Sequence, residues 1–425
     1  MSTHSGANIS EAAFNPRQRP HPNARSKNAS AGIVSRTRHF FRELRDFQRL
    51  FAEDNQKART LCFYSERDIY YRYFEGYIHY ILSNSTLDIC YLTSDPKDPA
   101  FALGNPRIKV FYIDRLLASA FQRLDGRALV MTMPDLDLYH VKRSRNGVNH
   151  VYMFHGVGSI HLQYNKKAFD AYDTIFCIGP YDRRELRRAE EMYRLPPKEL
   201  VETGYSWIER IFRDHQMSPP PERGLPRVLV APSWHDENIF GFCLAELLEA
   251  FDDSTYQVTL RPHPETIKRK WELVRTIQDR IEGRPNLVLE LDMVSGMSIH
   301  EADVLITDWS AISFEYAFGT ERPVLFIDTP CKIQNPDYGE LEIEPIEFST
   351  RAEIGCTLTP EGLGALQATV DELISRRDHY RRQIVSCRER TLSRWLDSDR
   401  VGGEYLIELC REKGESNQQA REGSR

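Results

Sequence analysis

The chain has 425 residues, 41% of them hydrophobic and 11% aromatic, which suits a soluble protein with two full cores and excludes a disordered or fibrous one. A net charge of -6 argues against general coating of nucleic acid, so no nucleic-acid partner is expected. The eight cysteines are scattered without a CxxC pair, which argues against a disulfide framework or a zinc site and fits a reducing cytoplasm.

Residues 1–31 are rich in Ser, Asn, Pro and Arg, lack periodicity and the apolar core of a signal peptide, and are expected to be a disordered lead. Residues 32–56 are expected as a basic amphipathic helix, because Phe40, Leu44, Phe47 and Phe51 recur at helical spacing while the arginines fall mostly on other faces. Residues 1–60 hold eleven Lys and Arg against five Asp and Glu. This helix either lies on its own first domain or rests on an anionic membrane surface, where each basic residue adds roughly 1 kcal/mol. In the second case the protein is cytoplasmic and peripheral on the inner face of the cell membrane. No stretch reaches the roughly 18 apolar residues of a membrane span.

From residue 57 to 216 short apolar runs alternate with helical stretches. Strands are expected at Leu61–Tyr64, Asp88–Leu92, Ile108–Ile113, Ala128–Met133, His150–Phe154, Thr174–Ile178 and Leu200–Glu202, and helices at Ile69–Leu82 and Asp182–Tyr193. The segment 217–227, MSPPPERGLPR, is a linker by its prolines. Alternation resumes over 228–400, with strands at Val228–Ala231, Tyr256–Leu260, Leu287–Leu291, Val304–Ile306 and Val324–Ile327. Helices are expected at Phe240–Phe251, Ile267–Ile281, Glu361–Ser375 and His379–Leu396, and residues 401–425 are left as a C-terminal tail. The fold class is α/β, with two Rossmann-like domains facing across a cleft.

In open parallel sheets ligands bind at the carboxyl ends of strands, so polar residues directly after apolar runs come first. After DVLI stand Thr307, Asp308, Ser310 and Ser313, at the start of a helix whose unpaired N–H groups and partial positive charge favour an anion. Capping of that helix explains the same residues without a ligand. After QVTL comes RPHPE, where two prolines hold His263 extended beside Arg261, a cation able to grip phosphate oxygens in a fork. His155 and Gly156 follow VYMF in the first domain; the imidazole is placed to take a proton from an acceptor hydroxyl, and the glycine admits close approach of a ligand. Ser233 follows VLVAP. Asp135-Leu136-Asp137 has the form of a metal-binding DxD but reads as an acidic surface turn, and neither metal nor cofactor is expected. GxGxxG and Walker patterns are absent.

Taken in order, HG after a first-domain strand, VLVAPSW, RPHP and ADVLITDWSAISFEYAFGTERPVLFID resemble the CDP-glycerol glycerophosphotransferase family of teichoic-acid-type polymer synthesis, over roughly residues 150–350. The resemblance implies a GT-B architecture, a CDP-activated donor, and transfer of glycerol phosphate to a polyol-phosphate, glycan or lipid-linked acceptor with release of CMP. By position it makes His155 the base, sets His263 and Arg261 toward the pyrophosphate, and lines the donor site with Gly156, Ser233, Thr307, Asp308, Ser310 and Ser313. The chain departs from the family's D-x-S-S in having Asp308-Trp309-Ser310-Ala311, which removes one hydroxyl and leaves Ser313 to compensate. Two other readings stay open: a GT-B glycosyltransferase using a CMP-sugar, and a non-catalytic nucleotide-binding scaffold.

Overall fold

The computed structural model describes residues 29–217, 224–252, 255–292 and 296–422, with side chains described between residues 37 and 411. Nearly all of the expected disordered lead and the middle of the expected linker lie outside the described residues. The chain divides into two compact units, residues 1–40 and residues 41–425.

The thirteen strands among the described residues all lie in parallel sheets. The first sheet holds β1 (Leu61–Ser65), β2 (Ile89–Thr93), β3 (Ile108–Tyr112), β4 (Ala128–Met131), β5 (Asn149–Met153), β6 (Thr174–Cys177) and β7 (Glu199–Glu202), in the order β3-β2-β1-β4-β5-β6-β7. The second holds β8 (Arg227–Val230), β9 (Gln257–Leu260), β10 (Leu287–Leu289), β11 (Val304–Thr307), β12 (Val324–Ile327) and β13 (Gly355–Leu358), in the order β10-β9-β8-β11-β12-β13. Runs such as LCFYS, ICYLT and VLFI are buried at every position, as strands covered by helices on both faces must be.

The helix Ala29–Leu50 crosses from one unit into the other. Within the larger unit it is pinned by two buried carboxylates. Glu43 accepts the N–H groups of Asp114 (2.8 Å) and Leu116 (2.7 Å), and Asp46 accepts that of Tyr112 (3.2 Å). Arg42 donates to the Pro96 carbonyl at 3.1 Å, and Leu50 is fully buried.

Residues 401–410 are not a tail. The helix Ser398–Glu422 lies against the helix Tyr71–Asn84, with Leu406 and Ile407 in the core of the first sheet. Gly402 and Gly403 let the two helices meet: an added Cβ would stand 2.3 Å from Tyr77 and 2.4 Å from Tyr80. Between the sheets, the helices Ser206–Met217 and Ile312–Thr320 pack closely enough that a Cβ on Gly319 would reach within 2.4 Å of Ile211. Half-buried Glu315 accepts from the Tyr205 hydroxyl (3.3 Å) and the Trp207 indole (3.2 Å), joining the lobes.

Candidate active site

Strand order reverses between β1 and β4 in one sheet and between β8 and β11 in the other, and the crevice of such sheets opens beyond the carboxyl ends there. The loops leaving those ends carry most of the groups expected from sequence.

His155 follows β5, with Tyr70 and Tyr73 rings at 5.3 and 6.0 Å. Its Nδ1 is buried and has no hydrogen-bond partner. Burial, assisted by the charge of Lys332, pushes the imidazole down to about 4, so it is neutral at physiological pH. Gly156 stands against the other lobe: an added Cβ would lie 3.4 Å from the Ala311 methyl.

His263 caps the helix Pro264–Arg269. Its Nδ1 accepts the Glu265 N–H at 3.1 Å, which puts the ring proton on Nε2. Burial pushes this histidine down to about 3, and the positive charges adding to that effect come from Lys332, Arg67 and His155. The two histidines, one from each lobe, therefore lie in one electrostatic neighbourhood. The charge of Lys332 acts on both, and burial pushes Lys332 itself down to about 8 while Asp308 and Glu347 oppose the shift. Its ammonium also lies 5.4 Å from the Trp234 ring.

The remaining expected groups are used differently from the sequence reading. Asp308 binds the chain itself: Oδ1 accepts the N–H groups of Ser233 (2.8 Å) and Trp309 (2.6 Å), and Oδ2 that of Ile239 (3.1 Å). Thr307 donates to the Ala231 carbonyl at 2.7 Å, and Ser313 to the Ser310 carbonyl at 2.9 Å. The helix begins only at Ile312, behind Ala311 and without a side-chain cap. Among the described residues the Ser310 hydroxyl alone of these four side chains makes no hydrogen bond. Ser233 Oγ bonds His235 Nδ1 at 2.7 Å, and His235 Nε2 donates to the Pro330 carbonyl at 3.1 Å, tying two cleft loops together. Arg261 is buried, donates to Ser298 Oγ at 3.1 Å and pairs with Glu290 at 3.5 Å, both in its own lobe. Asp135 and Asp137 sit in a tight turn at φ 63° and 69°, where Asp137 accepts the Arg143 N–H at 2.8 Å. Among the described residues no group of three or more His, Cys, Asp or Glu side chains is placed to hold a metal ion.

Three site residues were missed. Lys332 closely follows the apolar run VLFI, and Glu66 and Arg67 directly follow LCFYS, so the strand-end rule applied to every run points to all three. Arg67 reaches across to Glu265 at 2.7 Å. Glu66 is pushed up to about 7, chiefly by burial.

Two Rossmann-like lobes with paired switch points and a cleft between them define a GT-B fold. Residues 124–331, just under half of the chain, match the model of the family described as CDP-glycerol:poly(glycerophosphate) glycerophosphotransferase. Over that span the chain is similar to this family, and it is a CDP-glycerol glycerophosphotransferase-like transferase. Among solved structures it is similar to a variant of the wall teichoic acid polymerase TagF, with a TM-score of 0.57 and 15% identity over 90% of this chain and 99% of that one. A TagF variant soaked with CDPG gives a TM-score of 0.58 and 15% identity, over 89% and 98% of the two chains. At such identity these likenesses speak for the fold. No curated protein sequence matches the chain.

Proposed function

We propose that this protein moves glycerol phosphate from CDP-glycerol to a hydroxyl of a polyol-phosphate, glycan or lipid-linked acceptor, releasing CMP. The observations that carry this reading are the placement of His155 and His263 at strand ends of opposing lobes, both within reach of the charge of Lys332, and the family match over residues 124–331.

The acceptor oxygen attacks the β-phosphorus in line, and the bond to CMP breaks. Such transfers rest on positioning and charge stabilisation. His155, held neutral by burial, takes the hydroxyl proton on its imidazole. His263, its tautomer set by the Glu265 N–H, offers Nε2–H to a phosphate oxygen. Lys332 supplies the cation once assigned to Arg261. The Ser310 hydroxyl and the uncapped start of the 312–320 helix supply further donors.

Incubating the purified chain with CDP-glycerol and, separately, with CMP-sugars tests this. CMP released from CDP-glycerol is the expected result. Release from a CMP-sugar alone would move the chemistry to a sugar carbon, and binding without release from either would leave a scaffold. Association with an anionic membrane surface is part of the same reading. Arg45 and Arg49 keep 66% and 53% of their side chains exposed on a helix held from beneath by Glu43 and Asp46. Among the described residues no helix is long and apolar enough to cross a membrane. Co-sedimentation with anionic vesicles should weaken in Arg45→Glu/Arg49→Glu, and equal binding by both proteins would remove the membrane from the proposal.

A further inference from the structure

The turn that carries His155 is held at its far end by the opposite lobe. Four residues on, Ser159 is fully buried, and its N–H donates to both oxygens of the Glu347 carboxylate, at 3.0 and 3.1 Å. Glu347 stands in the first turn of the second-lobe helix Ile346–Ile354, whose own N-cap, Pro345, offers no side-chain acceptor. Ser159 supplies one: its Oγ accepts the Ile346 N–H at 2.8 Å. The pair is a capping box made in trans, with the hydroxyl from one lobe and the carboxylate from the other. Gln163 Nε2 adds another donor to Glu347 at 3.1 Å. The fit is close, since a Cβ on Gly158 would stand 2.8 Å from Glu347 Oε1.

The same clasp bears on Lys332. Between the end of β12 at Ile327 and the helix start at Ile346, the chain of the second lobe is laid on residues 159–163 of the first. Gln334 and Asn335 donate their N–H groups to the Leu162 carbonyl, both at 3.2 Å, and the Ile343 carbonyl accepts from His161 Nε2 at 3.0 Å. Lys332 hangs in the short span between Ile327 and Gln334, so the first lobe helps to set where it stands. A contact serving cohesion alone could be apolar, and a buried carboxylate is kept only where N–H groups meet it. This one puts a negative charge beside Lys332, which it helps keep protonated, and fixes the peptide four residues beyond the base. Glu347 faces Glu185, His161 and Tyr181 of the first lobe and Cys331 and Lys332 of its own. Lys332 faces Asp308, Glu347 and the two histidines, both neutral in the alkaline range.

We propose that Glu347 is a positioning residue for the transfer, setting the His155 turn of one lobe and Lys332 of the other in register across the cleft. The inference rests on the transferase reading and adds to it a group that touches neither donor nor acceptor. Steady-state CMP release from CDP-glycerol by the full chain, followed from neutral to alkaline pH beside a melting curve, tests it. Glu347→Ala should lower kcat about ten- to a hundred-fold while KM for CDP-glycerol rises only a few-fold, because misplaced groups act less in the transition state than in binding. Glu347→Gln keeps one acceptor oxygen for the Ser159 N–H and should recover most of that kcat near neutral pH. Its alkaline limb should move to lower pH than the parent's, because Lys332 has lost a facing carboxylate. A clasp that only holds the fold would lower the melting temperature and leave both readouts alone. An undiminished kcat in Glu347→Ala overturns the proposal. So does an unmoved alkaline limb in Glu347→Gln, which decides by itself where the alanine variant does not fold. Absence of CMP release by the parent would instead count against the transferase reading and take this role with it.

Discussion

At the switch point of the second lobe, the Asp308 carboxylate is saturated by three backbone N–H groups from three places in the chain. At the matching edge of the first lobe, Thr132 Oγ1, Asp135 Oδ1 and His155 Nδ1 are all buried without partners, and Glu66 is held partly protonated near neutrality. The Asp308 corner is organised before any ligand arrives, whereas these first-lobe groups find no partner within the fold. Unpaired buried groups also occur on the second lobe, at Thr266 Oγ1 and Thr329 Oγ1, so the contrast belongs to these two corners, one saturated and one demanding, and groups left unpaired cost stability.

The contrast breaks most visibly at the two extremes. His155→Ala removes an unpartnered group from the demanding side, so turnover should fall by ~10²- to 10⁴-fold while thermal stability holds or rises. Steady-state kinetics beside a melting curve reads both, and full turnover in that variant would take the base away from His155. Asp308→Ala acts on the saturated side. Three buried N–H groups lose their acceptor, at about 1–3 kcal/mol each, so the variant should melt earlier and lose donor binding together. A variant that melts normally but does not turn over would instead make Asp308 a reacting group.

Lys332 belongs to the second lobe in sequence and to the first in its effect on His155. Burial puts its folded pKa near 8, below the ordinary lysine value of 10.5. The protonated form is therefore disfavoured by folding below pH about 8, and that penalty disappears as pH rises toward the unfolded value. Two signs follow. Activity that needs the cation should fall as pH rises through about 8, and Lys332→Arg should carry the alkaline limb upward. Lys332→Met should lose kcat/KM by tens of fold at pH 7 yet melt higher than the parent there. Equal pH profiles for the parent and the arginine variant would assign the alkaline limb to another group.

Much of this was legible in the sequence because parallel strands buried on both faces read as unbroken apolar runs, and because a ligand site in such a sheet is tied to their ends. His155 and His263 were chosen as candidates that way. The strand Gly355–Leu358 was not, since GCTL lies at an edge, is only partly buried after its first residue, and starts at a glycine required by the Val324 carbonyl, against which a Cβ would collide. The expected helix Ile267–Ile281 is broken at Lys270 (φ -126°, ψ 48°), a break that neither proline nor glycine announces. Arg261 misled for a different reason: its partners Ser298 and Glu290 are distant in sequence, and strand-end position does not reveal which way a guanidinium turns.

The smallest expected effect concerns the bridge between the lobes. Arg67 pairs with Glu265 at 2.7 Å, but their side chains keep 30% and 21% of their exposure, and Glu265 is shared with Arg269 at 2.6 Å. A solvent-screened pair of this kind contributes about 0–1 kcal/mol, so Arg67→Ala should barely move the melting temperature. Its position gives it another role, because Arg67 leaves the first lobe's switch point and Glu265 follows His263 on the second. Closing the cleft on a donor would hold that pair, so its loss should appear as a few-fold rise in donor KM with kcat nearly constant, shrinking as salt is added. A loss confined to kcat and indifferent to salt would place Arg67 among the groups that touch the reacting phosphate.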